Sequence, residues 1–322
     1  MALVISGNDL EGLFSQPASM DLLVEVISET LRAHSRGEIT SQEGFLLPVG
    51  DGKRNFRVLT ATLPSAGAVL RIYPLFAGAR DAHCNLLFDG QTGDLLALIA
   101  GGELNVWRTG APAGIACRLL ARRDAKVLGL LGSGRQAKGQ LLAIRRAAPS
   151  VEKVRVFSPN KERRTYFAEQ MSSWLEIEVE AVDHARAAVE GAGVVDVATN
   201  SRVPVLESNW ISPGALVISI GSGQLPQELV ARSRVLVSSK EELLNFRPPR
   251  EPYTAMIATG IWSAAQTIEL GEVIRAKQPG RQTESEMIVF ELLGMPAWDA
   301  AASAWAYHWA LDHKTGTQFS LA

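Results

Sequence analysis

At 322 residues, with 47% hydrophobic and 20% charged side chains, the chain has enough material for one or two domains with a sizeable core. A formal charge of -2, with no basic run and no aromatic-basic interleaving, gives nucleic acid and anionic membranes no electrostatic reason to bind, so a small molecule is the expected partner. Cys84 and Cys117 are too few for a disulfide framework and lack metal-ligand spacing, so no metal site is expected and the chain reads as a cytoplasmic protein with two inert thiols.

The opening MALVISGNDL has no basic stretch leading into a long apolar one, which argues against a secretory leader. No apolar run approaches the roughly 18 residues of a spanning helix. Leu22, Leu23, Val26, Ile27 and Thr30 recur at helical spacing and predict a helix over 20–33, with Ser19 or Asp21 as its cap. After HSRGEITSQEG come the β-favouring runs FLLPV, NFRVLTATL, AVLRIYPLF and CNLLFDGQTGDLLALIA. DGQTG between two apolar runs predicts an antiparallel hairpin, so this region reads as a mostly antiparallel sheet with a helix.

From about Ala125 the rhythm changes. Strand 127–131, helix 136–147, strand 153–157 and helix 161–171 follow in turn. IEVEAV, a helix opened by Asp183, VVDVAT, ALVISI and, after a short helix, RVLVS continue the series. Strands alternating with helices predict an α/β fold with a doubly wound parallel sheet. Past Lys240 the alternation is expected to stop. The Ala- and Trp-rich helix over 297–313 carries Trp298, Trp305 and Trp309 as packing anchors, and is expected to fold back onto the N-terminal region or to lie at a subunit interface.

Gly132, Gly134 and Ala137 form a GxGxxA pattern between a predicted strand and a predicted helix. The first glycine permits a tight turn, the second lets a pyrophosphate approach the backbone, and the small third residue lets helix and strand pack closely. The next strand ends in FSPNKERR, with Ser158, Asn160, Lys161 and Arg163 but no acid to bond both ribose hydroxyls. NADP(H) is therefore favoured, with NAD(H) possible. Arg108 and Thr109 precede the small-residue helix APAGIACRLLA. An arginine at such a junction fits a bidentate grip on a substrate carboxylate, worth about 1.5–3 kcal/mol, or an interdomain salt bridge.

TGDLLALIAGGELNVWRTGAPAGIA, LGLLGSGRQAKGQLLAIRR, VRVFSPNKERRTYFAEQM, VVDVATNSRVPVLESNWISPGALVISIGS, ELGEV and GMPAWDAAASA stand in this order along the chain. Together they resemble the ornithine cyclodeaminase and mu-crystallin family of NAD(P)-dependent enzymes. The resemblance implies a homodimer, with a discontinuous α+β domain (1–122 plus 290–322) that binds substrate and dimerises, and a Rossmann domain (123–289) that carries the dinucleotide. It matches Gly132, Ser133, Gly134, Arg135 and Gln136 to the family's pyrophosphate loop, and Ser158 and Asn160 to its ribose readers. Thr199 then falls beside the dinucleotide, and Ile220, Gly221 and Ser222 near the nicotinamide. Arg108 matches a family arginine at the junction of cofactor and substrate.

Three expected charged groups are replaced. GEITSQEGF lacks the family's substrate arginine. AVLRIYPLF carries Arg71 where many members have a lysine. IGSGQLPQEL has Ser222 and Gly223 where cyclodeaminases have an aspartate. Cyclodeamination needs tunable acid-base groups, and an arginine cannot stand in as a base. Imine reduction asks mainly for orientation and a carboxylate anchor. Arg108, helped by Arg71, is the expected anchor, and His83 the expected proton donor. The expectation is an NAD(P)H-dependent reductase of a ketimine or imino acid. The alternatives are a non-catalytic NADP(H)-binding protein of mu-crystallin type and an enzyme whose substrate suits the apolar run around Arg71.

Overall fold

The computed structural model describes residues 1–76, 82–245 and 249–320. In chain order the first elements are β1 (Ala2–Ile5), α1 (Glu11–Phe14), α2 (Ser19–Ser35), β2 (Thr40–Val49), β3 (Arg54–Leu63), β4 (Gly67–Leu75), β5 (Cys84–Phe88), β6 (Leu95–Ala100) and α3 (Gly101–Leu120). Alternation follows with β7 (Val127–Leu131), α4 (Arg135–Ala147), β8 (Lys153–Phe157), α5 (Lys161–Leu175), β9 (Glu178–Ala181), α6 (Ala185–Val189), β10 (Val194–Val197), β11 (Leu216–Ser219), α7 (Gln227–Ala231) and β12 (Arg234–Val237). The chain then runs through α8 (Lys240–Asn245), α9 (Tyr253–Ala258), β13 (Ile268–Glu269), α10 (Leu270–Ile274), β14 (Ile288–Glu291), α11 (Pro296–Asp312) and β15 (Thr317–Phe319).

Two units divide the chain: Met1–Arg108 with Gly294–Ala322, and Thr109–Leu293. The boundaries expected from sequence, 122/123 and 289/290, need correction. Gly110 and Gly114 let the second half of α3 press on the backbone of Gly139 and Ala143 in α4, so that half belongs with the second unit. β14 is a strand of that unit's sheet, which carries its end past residue 289.

The first unit holds a seven-stranded sheet in the order β15-β1-β6-β5-β4-β3-β2. Its pairs are antiparallel except β1 with β6. The β5–β6 hairpin turns at DGQTG, where Asp89 Oδ1 accepts from the N–H groups of Gln91 and Thr92, each at 2.8 Å. Neither Ser19 nor Asp21 caps α2; Ala18 occupies the cap position and offers no side-chain bond. Turn bonds from Met20 to Pro17 and from Asp21 to Ala18 start the helix instead. α11 returns to this unit, packing on α2, β3 and β4. Of its tryptophans, Trp298 is fully buried, Trp305 lies 6.4 Å from the Phe14 ring, and Trp309 closes over Gly12.

The second unit is an eight-stranded sheet, β13-β12-β14-β11-β10-β7-β8-β9, and every pair in it is parallel. The alternation does not stop at Lys240. β13 and β14 add two more strands, and β14 inserts between β11 and β12. The intervening helices are five or six residues long, too short for a 3.6-residue period to show in sequence. Val195 and Val197 of β10 pack into an apolar cluster with Leu131, Val217 and Val289. Asp196 between them therefore points to the other face of the sheet. It is fully buried, and neither carboxyl oxygen has a hydrogen-bond partner among the described residues. Burial holds it well above the usual carboxylate range.

Candidate active site

In the second unit, β8 and β9 lie on one side of β7, and β10 and β11 on the other. Such a switch in strand order opens a crevice at the carboxyl ends of the strands. The 132–136 loop occupies that position. Gly132 has φ +114°, and a Cβ there would collide with the carbonyl oxygen of Ala198, so only glycine fits. Gly134 is the N-cap of α4 in extended conformation, and no side chain caps the helix. A Cβ at Gly134 would meet no protein atom within 4 Å. The first N–H groups of α4 are thus left for an external acceptor, at the positive end of the helix.

A cleft of about 750 Å³ collects 132–136 with Ser158, Asn160, Arg163, Thr199 and Ile220. Thr109, Gly221 and Ser222 are not among its lining residues. Thr109 is buried on α3, and Ser222 bonds to backbone at Pro249 and Glu251. Gln136 Oε1, in the cleft, is buried without a hydrogen-bond partner among the described residues. Uncapped N–H groups, a glycine open to approach and an orphaned polar atom fit a dinucleotide diphosphate. Ser133 and Ser158 share a 2.7 Å hydroxyl contact that ties the loop to the end of β8. Asn160 also caps α5, since its Oδ1 accepts from the Arg163 N–H at 2.7 Å.

In the first unit, Arg71, Arg108 and His83 come together, and two residues that the motifs did not single out organise them. Asp299 Oδ1 accepts from Arg71 Nη1 at 2.7 Å and from Arg108 Nε at 2.9 Å. Asn105 Oδ1 accepts from Arg71 Nη2 at 2.8 Å. All three charged groups, Arg71, Arg108 and Asp299, are buried. Two guanidinium groups share one carboxylate, so one positive charge is left over. Burial pulls Arg108 below its ordinary value, with Asp299 opposing, but an arginine stays protonated in proteins.

Arg71 is 1% exposed, and both of its terminal nitrogens meet protein acceptors. Arg71 Nη2 lies 2.6 Å from His83 Nδ1. Arginine only donates, so Nδ1 accepts and the ring hydrogen sits on Nε2. Tyr73 stacks on His83 at 4.6 Å, and its ring centroid lies 4.6 Å from the Arg71 guanidinium carbon. Burial, then the charges of Arg71 and Arg108, push His83 down to about 4, against Asp299. A ring held this low, with Nδ1 accepting from Arg71, stays uncharged at neutral pH.

Cys84 and Cys117 are both free thiols. Burial, and after it the Asp196 charge, push Cys117 up to about 12; burial raises Cys84 as well. Neither has the electropositive setting of a reactive cysteine. Among the described residues no helix is long and apolar enough to cross a membrane, and no His/Cys/Asp/Glu group could hold a metal.

The model of the ornithine cyclodeaminase/mu-crystallin family matches residues 14–314. The chain belongs to this family. Within the ornithine cyclodeaminase/mu-crystallin family it is similar to the Delta(1)-pyrroline-2-carboxylate reductase of Bacillus cereus, 30% identical over 243 residues and covering 73% of each chain. It is also similar to the ketimine reductase mu-crystallin of Mus musculus, 30% identical over 227 residues, covering 69% of this chain and 67% of that one. The structure of Thermococcus litoralis Delta(1)-pyrroline-2-carboxylate reductase in complex with NADH and L-proline matches with a TM-score of 0.90 at 29% identity, covering 98% of this chain and 100% of that one.

Proposed function

We propose that the chain is an NAD(P)H-dependent reductase of a ketimine or cyclic imino acid, running in reverse as an amino-acid dehydrogenase. The uncapped glycine loop at the strand-order switch carries this reading. Relatives named for pyrroline-2-carboxylate and ketimine reduction support C=N as the bond reduced. A reduced dinucleotide held by these residues would supply a hydride: its nicotinamide C4–H bond would break, leaving the oxidised pyridinium, as a C–H bond forms at the imine carbon and the C=N π pair moves to nitrogen and neutralises the iminium.

The protein's own groups do the holding. Backbone N–H groups of 132–136 bind the diphosphate, and Ser158 and Asn160 face the adenosine ribose. Arg108, with Nε committed to Asp299, offers its terminal nitrogens to the substrate carboxylate, and the surplus positive charge matches one anion. Because His83 is neutral, the imine nitrogen brings its own proton as the iminium. Ornithine cyclisation is not proposed, since Arg71 cannot act as a base.

The strand end at Phe157 carries no acid, and exposed Arg163 lines the cleft. This supports NADP(H) over NAD(H). Free cysteines support a reducing, cytoplasmic setting, and the apolar edge strand β2 supports a homodimer.

Calorimetry with NADPH and NADH tests the first half: uptake of either supports the reading, tighter for NADPH. Consumption of the reduced dinucleotide with pyrroline-2-carboxylate, piperideine-2-carboxylate, or pyruvate with methylamine tests the second. Uptake without turnover across that panel would point instead to a binding protein, and no uptake by folded protein removes the redox assignment.

A further inference from the structure

The turn 220–222 follows β11 at the carboxyl edge of the parallel sheet and is held from outside it. Arg250 Nη1 donates to the Ile220 carbonyl oxygen at 3.0 Å and lies 3.6 Å from Glu291 Oε1. Glu291, on β14, accepts from the Tyr253 hydroxyl through Oε2 at 3.4 Å. Ser222 Oγ donates to the Pro249 carbonyl at 3.1 Å and accepts from the Glu251 N–H at 2.9 Å. The Gly223 N–H donates to the Glu251 carbonyl at 2.6 Å. Segment 249–251 thus pins the turn at Ile220 and Ser222, and the residue after it, Gly223.

Ile220 lines the same cleft as the glycine loop. Were a dinucleotide to place its diphosphate on 132–136 and its adenosine end toward Ser158, just past β8, its nicotinamide end would fall on the β10–β11 side, toward Ile220. Fixing a turn does not by itself call for buried charge, because an apolar pair of the same volume would cost less desolvation. Yet Arg250 and Glu291 are 6% and 1% exposed, and burial pushes Glu291 up to about 8 against the pull of Arg250. Ionisable groups buried at such cost cluster at functional sites.

We propose that Arg250 and Glu291 are positioning residues: together they hold the 220–222 turn where it sets the seat of the nicotinamide ring, leaving the grip on the diphosphate to 132–136. The inference rests on the dinucleotide reading given above. Its test titrates wild type, Glu291→Gln, Arg250→Met and Arg250→Lys with NADPH, following the fluorescence lifetime of the bound reduced nicotinamide. On any imine that is accepted, kcat and KM are read separately.

In Glu291→Gln and Arg250→Met the Kd is expected within about twofold of wild type, the lifetime altered, and kcat at least about tenfold lower with KM little changed. Arg250→Lys, which keeps the charge beside Glu291, is expected to recover part of the loss. Unchanged lifetime and kcat in folded variants overturn the proposal, as does a Kd that weakens in step with kcat. Should Arg250→Met fail to fold, the isosteric Glu291→Gln carries the test. A wild type that takes up no dinucleotide brings down the functional reading and this inference with it. Uptake without turnover brings down only the reductase reading, and the lifetimes still decide the positioning role.

Discussion

Arg71 and Arg108 touch the same carboxylate oxygen, yet they should fail in different ways. Removing Arg108 leaves Asp299 paired with Arg71, so the unit keeps its internal charge balance and loses the group assigned to the substrate. Arg108→Met is expected to lower kcat/KM for an accepted imino acid by about 10- to 150-fold, the equivalent of a charged hydrogen bond, with dinucleotide Kd unchanged. Removing Arg71 takes a donor from Asp299, His83 and Asn105 at once. Arg71→Met should cost about 3–5 kcal/mol of unfolding free energy in denaturant titration. Asp196 gives a pH test. Its folded value is raised by burial, so above the unfolded value the unfolded chain binds fewer protons and stability falls as pH rises. Asp196→Asn removes that loss. Its advantage over wild type in urea melts should be small near pH 4 and grow with pH until the buried carboxyl itself ionises. Arg71, Arg108 and the glycine loop were legible in the sequence because residue type and spacing carried them. Asp196, Glu291 and Asp299 were not used, although each is a lone acid in an apolar run: VVDVAT, IVFELL and PAWDAAASA. An acid in a run otherwise fit for burial needs a cation, a proton or a function, and that was the signal available.

For the loop between β7 and α4, the two glycines separate structure from binding. Gly132→Ala forces a Cβ into Ala198 at a positive φ and is expected to destabilise the second unit. Gly134→Ala meets only open space at an extended φ of -97°, so unfolding should be unchanged. The added methyl occupies the diphosphate's approach, and NADPH affinity should fall at least about tenfold in calorimetry. Equal affinity in Gly134→Ala would make the loop a simple turn. The strands and helices from 127 to 175 were legible because β8 and α4 bury alternating or helical positions, while β7 is a continuous apolar run buried on both faces that the strand–helix alternation marks as a strand. The stretch after Lys240 was not, since short helices and a two-residue β13 carry no period, and only pairing with β12 and β11 turns them into sheet.

On the scale of the whole chain, the alternation of strand and helix announced the nucleotide unit, while the path of the other unit depended on pairings hundreds of residues apart. Among the described residues its sheet ends in β2, which pairs with β3 alone. Phe45, Leu46, Leu47 and Val49 on that strand are 46%, 42%, 43% and 38% exposed. Consecutive exposed apolar residues on an open edge invite a second copy. Leu46→Glu with Leu47→Glu is expected to shift sedimentation from dimer to monomer and weaken association at least about tenfold, since each buried leucine contributes about 1.5–3 kcal/mol. A wild type that sediments as a monomer at high concentration would end the dimer proposal. The pairing of Ala2, Leu3 and Val4 with Phe319, Gln318 and Thr317 has a consequence for biosynthesis. A ribosome emits all of 109–293 before it supplies α11 and β15, so the nascent nucleotide unit can complete itself while the earlier-made strands still await their closing helix. Exposed in that interval, those strands are where a chaperone would be needed.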